Sequence, residues 1–438
     1  LRYVLDAIGE SLEVVPYDPL GRYHFPDGTF PVYSNSDRYR REIAAFTPEG
    51  AAELERFEQR MLKMFDALRG IPTLALRADW QLLSVLLGRY STKLLPFLLQ
   101  AASVSRPLSE LMQGLVRDRW VRRLIDLECF LLSGLKAEGT IAAEMAFMFG
   151  ERSNVGVDYP VGGSGAIVDA LVRGLKRWGG ELKLNAHVDR VILEAGQAKG
   201  VHLRNGETLH AKTVISNASI WDTFGTLLDR DRVPAAERDR ALDTPTIPSF
   251  MHLHLGIRGD GLSETLAKLG GHHVVVHDSD RDISEPGNTC MISIPTVWDA
   301  SLAPAGHHVV HAYTLEPYEN WRRDESYGDR KRERSQSLYR AMEKVIPDIR
   351  DRVELELVGT PLTHARYLRR YRGTYGAAIA AGAGMFPSCH TSIPGLYRVG
   401  DSTMPGIGVP AAAASGILCA NTLVPVRQTF ALLDELQL

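Results

Sequence analysis

Gly395-Leu-Tyr-Arg-Val-Gly-Asp-Ser-Thr-Met-Pro-Gly-Ile-Gly-Val409 is the stretch on which the fold turns. The run Gly395–Val399 predicts a strand, Gly400–Gly408 a glycine-rich loop, and the small-residue segment Val409–Val426 a helix. The start of a helix carries unpaired N–H groups and a positive partial charge, which suit a phosphate or an electron-rich ring. Gly406 and Gly408 remove side chains where backbone must come close to a flat cofactor. Asp401, just past a strand, can hydrogen-bond a polyol hydroxyl. Gly406-x-Gly408-x-x-Ala411 has the spacing of a dinucleotide fingerprint, but too little chain follows it to complete a βαβ unit.

Working back from this stretch, a second α/β signature begins at Tyr159. Pro160-Val-Gly-Gly-Ser-Gly165 leads into an amphipathic helix with Ile167, Val168, Leu171, Val172, Leu175 and Trp178 on its apolar stripe. Short strands are predicted over Glu181–Leu184, Val188–Glu194, Gly200–Leu203 and Thr208–His210, with Asn205-Gly206 as a hairpin turn. Ala211–Ser216 is a further apolar run. From Pro248 to Glu316 the alternation is again that of strands, which implies a second, mostly antiparallel sheet. The first third reads as mostly helical, and residues 46–70 show Leu54, Phe57, Met61, Met64, Phe65 and Leu68 at helical spacing.

At 438 residues the chain is long enough for two domains. A formal charge of −3 gives no general drive toward nucleic acid or anionic membrane. Four scattered cysteines form no C-x-x-C pair, which argues against a structural zinc site or a disulfide framework. No run reaches the ~18 apolar residues of a spanning helix. Residues 71–106, however, combine Trp80, Leu82–Leu87 and Leu94–Leu99 with Arg89 and Lys93, a pattern that suits either an interfacial helix or a wall of the substrate domain. Histidine pairs two apart at His252/His254 and near His307–His311 share strand faces, yet no acid or cysteine completes a recognisable metal set, and no metal is expected.

Val-Gly-Asp-Ser-x-x-Pro-Gly-x-Gly-Val over 399–409 resembles the C-terminal flavin-binding motif of carotenoid isomerases and bacterial-type phytoene desaturases. Ala211–Gly225, Asp126-Leu-Glu-Cys-Phe130 with Asp158–Gly163, Ser293–Pro304, and Gly359–His364 with Gly373–Gly376 are similar to the isomerase branch. The resemblance covers nearly the whole chain. It implies an α/β fold: a Rossmann-like FAD-binding domain, lacking its first βαβ segment, interleaved with an α+β substrate domain. The expected divisions are a helical, substrate- and membrane-facing region over 1–155, FAD-binding pieces over 156–225 and 386–438, and a substrate domain with an antiparallel sheet over 226–385.

The resemblance also implies FAD as cofactor, held by Val188, Gly162, Gly163, Gly400, Asp401, Met404, Pro405, Gly406, Gly408 and Val409. In that reading Val188 offers its backbone to the adenine, and the two glycines at 162 and 163 sit near the flavin ring. Glu128 and Asp126 are weak candidates for acids beside a polyene, with helix-capping or salt-bridged roles as the plainer account. The family's N-terminal G-x-G-x-x-G is absent and Leu1 opens inside a helix, so an N-terminally truncated chain is expected. The implied activity is redox-neutral cis–trans isomerisation of a poly-cis carotenoid such as prolycopene, with a lipophilic polyene substrate. The implied location is a peripheral membrane surface in a plastid or on a bacterial cytoplasmic membrane face. A desaturase, a retinol saturase-like reductase, a hydratase, and a non-catalytic carotenoid binder are the alternatives.

Overall fold

A computed structural model describes residues 2–154 and 156–438; the expected outer limits of the first region, residues 1 and 155, fall outside that set. In chain order the strands are β1 (Val14–Pro16), β2 (Gly21–Phe25), β3 (Gly28–Val32), β4 (Asp158–Pro160), β5 (Val188–Glu194), β6 (Gln197–Leu203) and β7 (Thr208–His210). They continue with β8 (Val214–Ser216), β9 (Ser249–Arg258), β10 (His272–Val276), β11 (Thr289–Ser293), β12 (His307–Glu316), β13 (Val353–Gly359) and β14 (Leu396–Arg398).

The large sheet has the order β13-β9-β12-β11-β10-β2-β3, and every pairing is antiparallel except that of β10 with β2. Alternation along β9 decides its two faces. Met251, Leu253, Leu255 and Ile257 are buried with Leu338 and Met342 of the helix Tyr327–Glu343, while Phe250, His252 and His254 project from the opposite face.

The first third is mostly helical, as expected, and also carries strands that the sequence reading did not anticipate. β2 and β3 form a hairpin around the turn Pro26-Asp27-Gly28 and join the large sheet through β10, 249 residues away along the chain at His24 and His273. Phe25, Phe30 and Val32 of this hairpin are buried in one core with Phe57, Met61 and Phe65 of the helix Pro48–Leu68. That helix starts where Thr47 Oγ1 accepts the N–H of Gly50 at 3.1 Å. It packs on the helix Ala142–Asn154 at Gly150, where a Cβ would fall 2.1 Å from Phe65 Cγ.

Two small sheets carry the α/β signature. β8 and β14 pair in parallel, and β5-β6-β7 form an antiparallel meander whose second turn holds Gly206 at φ +92°. The strand expected over Glu181–Leu184 does not form. No neighbouring strand takes up its backbone among the described residues, and Leu182 and Leu184 lie exposed.

Candidate functional site

Strand β14 runs into the glycine-rich loop as the sequence predicts, and the local chemistry is set by close approach. Gly400 has φ +103°, and a Cβ there would lie 2.3 Å from Asn217 Oδ1 at the end of β8. Its N–H donates to Ser415 Oγ at 2.7 Å, which ties the loop to the helix it opens. Thr403 Oγ1 donates to the Gly400 carbonyl at 2.8 Å, and Met404 N–H to the Pro387 carbonyl at 2.8 Å. Pro405 follows, and Gly406, at φ +136°, faces the Phe386 ring.

Gly408, at φ +95°, is the N-cap of the helix Val409–Leu423 and supplies no side chain to cap it. A Cβ at Gly408 would meet nothing nearer than Pro410 Cδ at 4.0 Å, so the space in front of this helix start is open. Val409, its first residue, is 69% exposed. Open space before uncapped N–H groups, with an acid beside it, fits a phosphate-bearing polyol with a flat ring.

Asp401 is half-buried and engaged. Arg370 donates to its carboxylate, and also to the carbonyls of Thr374 at 2.9 Å and Tyr375 at 3.1 Å. The neighbouring Arg369 brings Nη1 to 3.3 Å from His187 Nδ1, one residue before Val188. Val188 itself opens β5 opposite Leu203 and is half-buried. The segment 369–370 thus reaches Asp401 on one side and His187, the neighbour of Val188, on the other. Arg398 is a further residue that sequence reasoning missed. It is buried, donates to Ser402 O at 3.1 Å and Oγ at 3.0 Å, and leaves Nε without a partner. Burial lowers its pKa to about 10.

Gly162 and Gly163, at φ +84° and +72°, form the turn before the helix Ser164–Arg177. The Gly162 N–H donates to Asp299 Oδ2 at 2.7 Å. Tyr159 stacks on Trp298 with centroids 5.0 Å apart, and Trp298 touches His272 at 4.6 Å. His272 lies on the wall of a cavity of about 430 Å³ between the large sheet and the helices Arg119–Ser133 and Ala142–Asn154. The cavity wall is chiefly apolar, with Leu20, Tyr23, Leu131, Met148 and Val274.

Four charged residues also reach that wall, Arg22, Glu151, Glu128 and Arg152, and the last two pair with each other. Glu128 Oε1 accepts from Arg152 Nη1 at 2.8 Å and from Tyr39 OH at 3.0 Å, and both ionic side chains are buried. Asp126 lies elsewhere, accepting the Ala137 N–H at 3.0 Å, with its carboxyl pKa raised chiefly by burial. Both predicted acids are therefore engaged by the protein itself, though Glu128 Oε2 is buried without a hydrogen-bond partner.

The helices Leu82–Arg89 and Ser91–Val104 meet at 115°, and neither is long and apolar enough to cross a membrane alone. The second has no buried residue, and Leu83, Leu87, Leu95, Leu98 and Leu99 are each more than 60% exposed.

Comparison with known proteins agrees with this architecture. The family description "flavin containing amine oxidoreductase" matches residues 8–424. A prolycopene isomerase of an Oncidium hybrid cultivar, chloroplastic, is 34% identical over 95% of this chain and 71% of its own length. The chloroplastic prolycopene isomerase of Daucus carota is also 34% identical, over 95% of this chain and 68% of its own. A neurosporene-forming phytoene desaturase of Rhodobacter capsulatus is 24% identical over 94% and 80%. Among solved structures, a putrescine oxidase redesigned in its cofactor binding superposes with a TM-score of 0.60 at 12% identity, covering 99% of this chain and 85% of its own. With a family match that spans almost the whole chain and isomerase relatives above 30% identity, this chain belongs to the flavin containing amine oxidoreductases.

Proposed function

We propose that the protein isomerises a poly-cis carotenoid of the prolycopene type, without net oxidation, using reduced FAD. The observation that carries this reading is the higher identity to prolycopene isomerases, 34% against 24% for the phytoene desaturase, over the same extent of chain. Reduced flavin, when bound, supplies the reversible electron or proton donation that lowers the bond order of a conjugated polyene. Gly400, Asp401, Met404, Pro405, Gly406, Gly408 and Val409 would hold the cofactor, with Gly162, Gly163 and the backbone at Val188 completing its surroundings. The open space before Gly408 and the absence of a side-chain cap support that assignment.

The apolar cavity would take part of the polyene and exclude water from it. Glu128 and Asp126 are already bonded to Arg152, Tyr39 and Ala137, so they act in this reading as structural acids. The exposed leucines of 82–104 would rest in a membrane interface through which a lipophilic substrate enters. No acidic residue lies between Trp80 and Ser105, which suits an anionic lipid surface, in a plastid or on a bacterial cytoplasmic face.

The test is product mass and retention time with the FAD-loaded protein, anaerobic reductant and prolycopene in liposomes. Unchanged mass with shifted retention is the expected result. Loss of hydrogen would replace the reading with a desaturase, gain of hydrogen with a saturase, and gain of water with a hydratase. Binding of the polyene without any product would identify a carotenoid-binding protein.

A further inference from the structure

Strands β9 and β12 pair so that His311 lies directly opposite His254, and His252 opposite Tyr313. Residues two apart on a strand share a face, so His252, His254 and His311 all project from the side of the sheet that faces away from the helix Tyr327–Glu343. Their rings are nearly parallel. The His254 and His311 centroids are 4.2 Å apart with planes 2° apart, and those of His252 and His311 are 4.9 Å and 6°.

One nitrogen from each of the three rings lies within 4.8 Å of the other two. His252 Nδ1 and His311 Nε2 approach to 2.6 Å, so at most one proton can stand between them. The other nitrogen of His252, Nε2, is buried and has no hydrogen-bond partner. A fourth imidazole, His364, stacks on His252 at 4.5 Å. A buried ring nitrogen without a partner has lost its water and gained nothing in return. A cation that takes one nitrogen from each histidine would relieve it, once the stacked rings turn about their Cβ–Cγ bonds so that their in-plane lone pairs meet at one point.

We infer that His252, His254 and His311 form a binding site for a borderline divalent transition ion, of the zinc or cobalt class, on the open face of the large sheet. An all-imidazole donor set with no carboxylate selects such ions over magnesium or calcium. Three histidines leave a coordination position for water or for His364. A chain of contacts links the site to the glycine-rich loop. Phe250, next but one to His252 on the same strand face, packs on Tyr375 at 5.1 Å, and the Tyr375 carbonyl accepts from the Arg370 that holds Asp401.

The experiment titrates tag-free, chelator-treated protein with Co²⁺ alone, reads visible d–d absorption, and then displaces the ion with Zn²⁺. One equivalent per chain is expected, with binding weakened at least about tenfold by His254→Gln and by His311→Gln. His307→Gln, on the same strand but bonded to Glu354, should leave the affinity unchanged. Circular dichroism and retained flavin confirm that each variant is folded; His254 is exposed and tolerates exchange. No saturable Co²⁺ spectrum in the wild type overturns the inference, as does a spectrum that survives both substitutions.

Discussion

Arg370 holds Asp401 in place through a guanidinium that is itself fixed by the carbonyls of Thr374 and Tyr375, at 2.9 and 3.1 Å. The acid of the glycine-rich loop is thus oriented by a residue 31 positions earlier. Both side chains are partly solvated, at 27% and 18%, so the pair contributes modestly to stability and chiefly to position. Asp401→Ala and Arg370→Ala should each weaken FAD binding about 10- to 100-fold, the loss of a hydrogen bond to a charged group. Flavin fluorescence titration measures this, and full affinity in Arg370→Ala would reduce the arginine to packing.

Gly400 and Gly408 separate fold from cofactor. Gly400→Ala places a Cβ against Asn217 Oδ1 in a left-handed backbone and should cost more than about 2 kcal/mol of stability. Gly408→Ala meets only open space and carries just the strain of a Cβ at φ +95°, so it should cost about 1–2 kcal/mol in the flavin-free protein. Its FAD affinity should nevertheless fall at least tenfold, because the methyl enters the proposed cofactor space. Urea unfolding and flavin titration on the two variants should show opposite orders of effect.

The Glu128–Arg152 pair makes a stability prediction rather than a catalytic one. Glu128→Ala leaves a buried guanidinium without its carboxylate and should cost about 3–5 kcal/mol. Glu128→Ala combined with Arg152→Met should recover most of that loss in urea unfolding. A double variant with intact stability and no turnover would return Glu128 to the reacting atoms.

Leu95→Glu with Leu98→Glu should abolish sedimentation with anionic liposomes. Both side chains are more than 60% exposed, so the unfolding free energy should change by less than about 0.5 kcal/mol. Unaltered sedimentation would remove this helix from the interface.

Burial pushes the His273 pKa down to about 3, with the nearby His24 lowered to about 4 by burial as well. Their ordinary value is 6.5, so below that pH the unfolded chain binds protons that the folded chain refuses. Stability should be full above pH 6.5 and fall as pH drops toward 3, by roughly 1.4 kcal/mol per pH unit for each such histidine. His273→Asn should shallow the slope of urea midpoint against pH between 6.5 and 4. An equal slope in the variant would place the proton uptake elsewhere.

Features whose physics is local were legible along the chain. Gly400 and Gly408 are written where backbone must turn left-handed, Asn205-Gly206 where a hairpin must close, and β9 and β12 alternate because side chains on a strand point to opposite faces. Pro26-Asp27-Gly28 carried the same kind of signal for the β2–β3 hairpin, but its partner strand lies beyond residue 270. That partner, the clamp of Arg370 on Asp401, the burial of Glu128 against Arg152, and the meeting of His311 with His252 and His254 emerge only in the folded chain. Each joins side chains far apart along the chain, so only the register of the large sheet and the packing of its helices bring their atoms within reach.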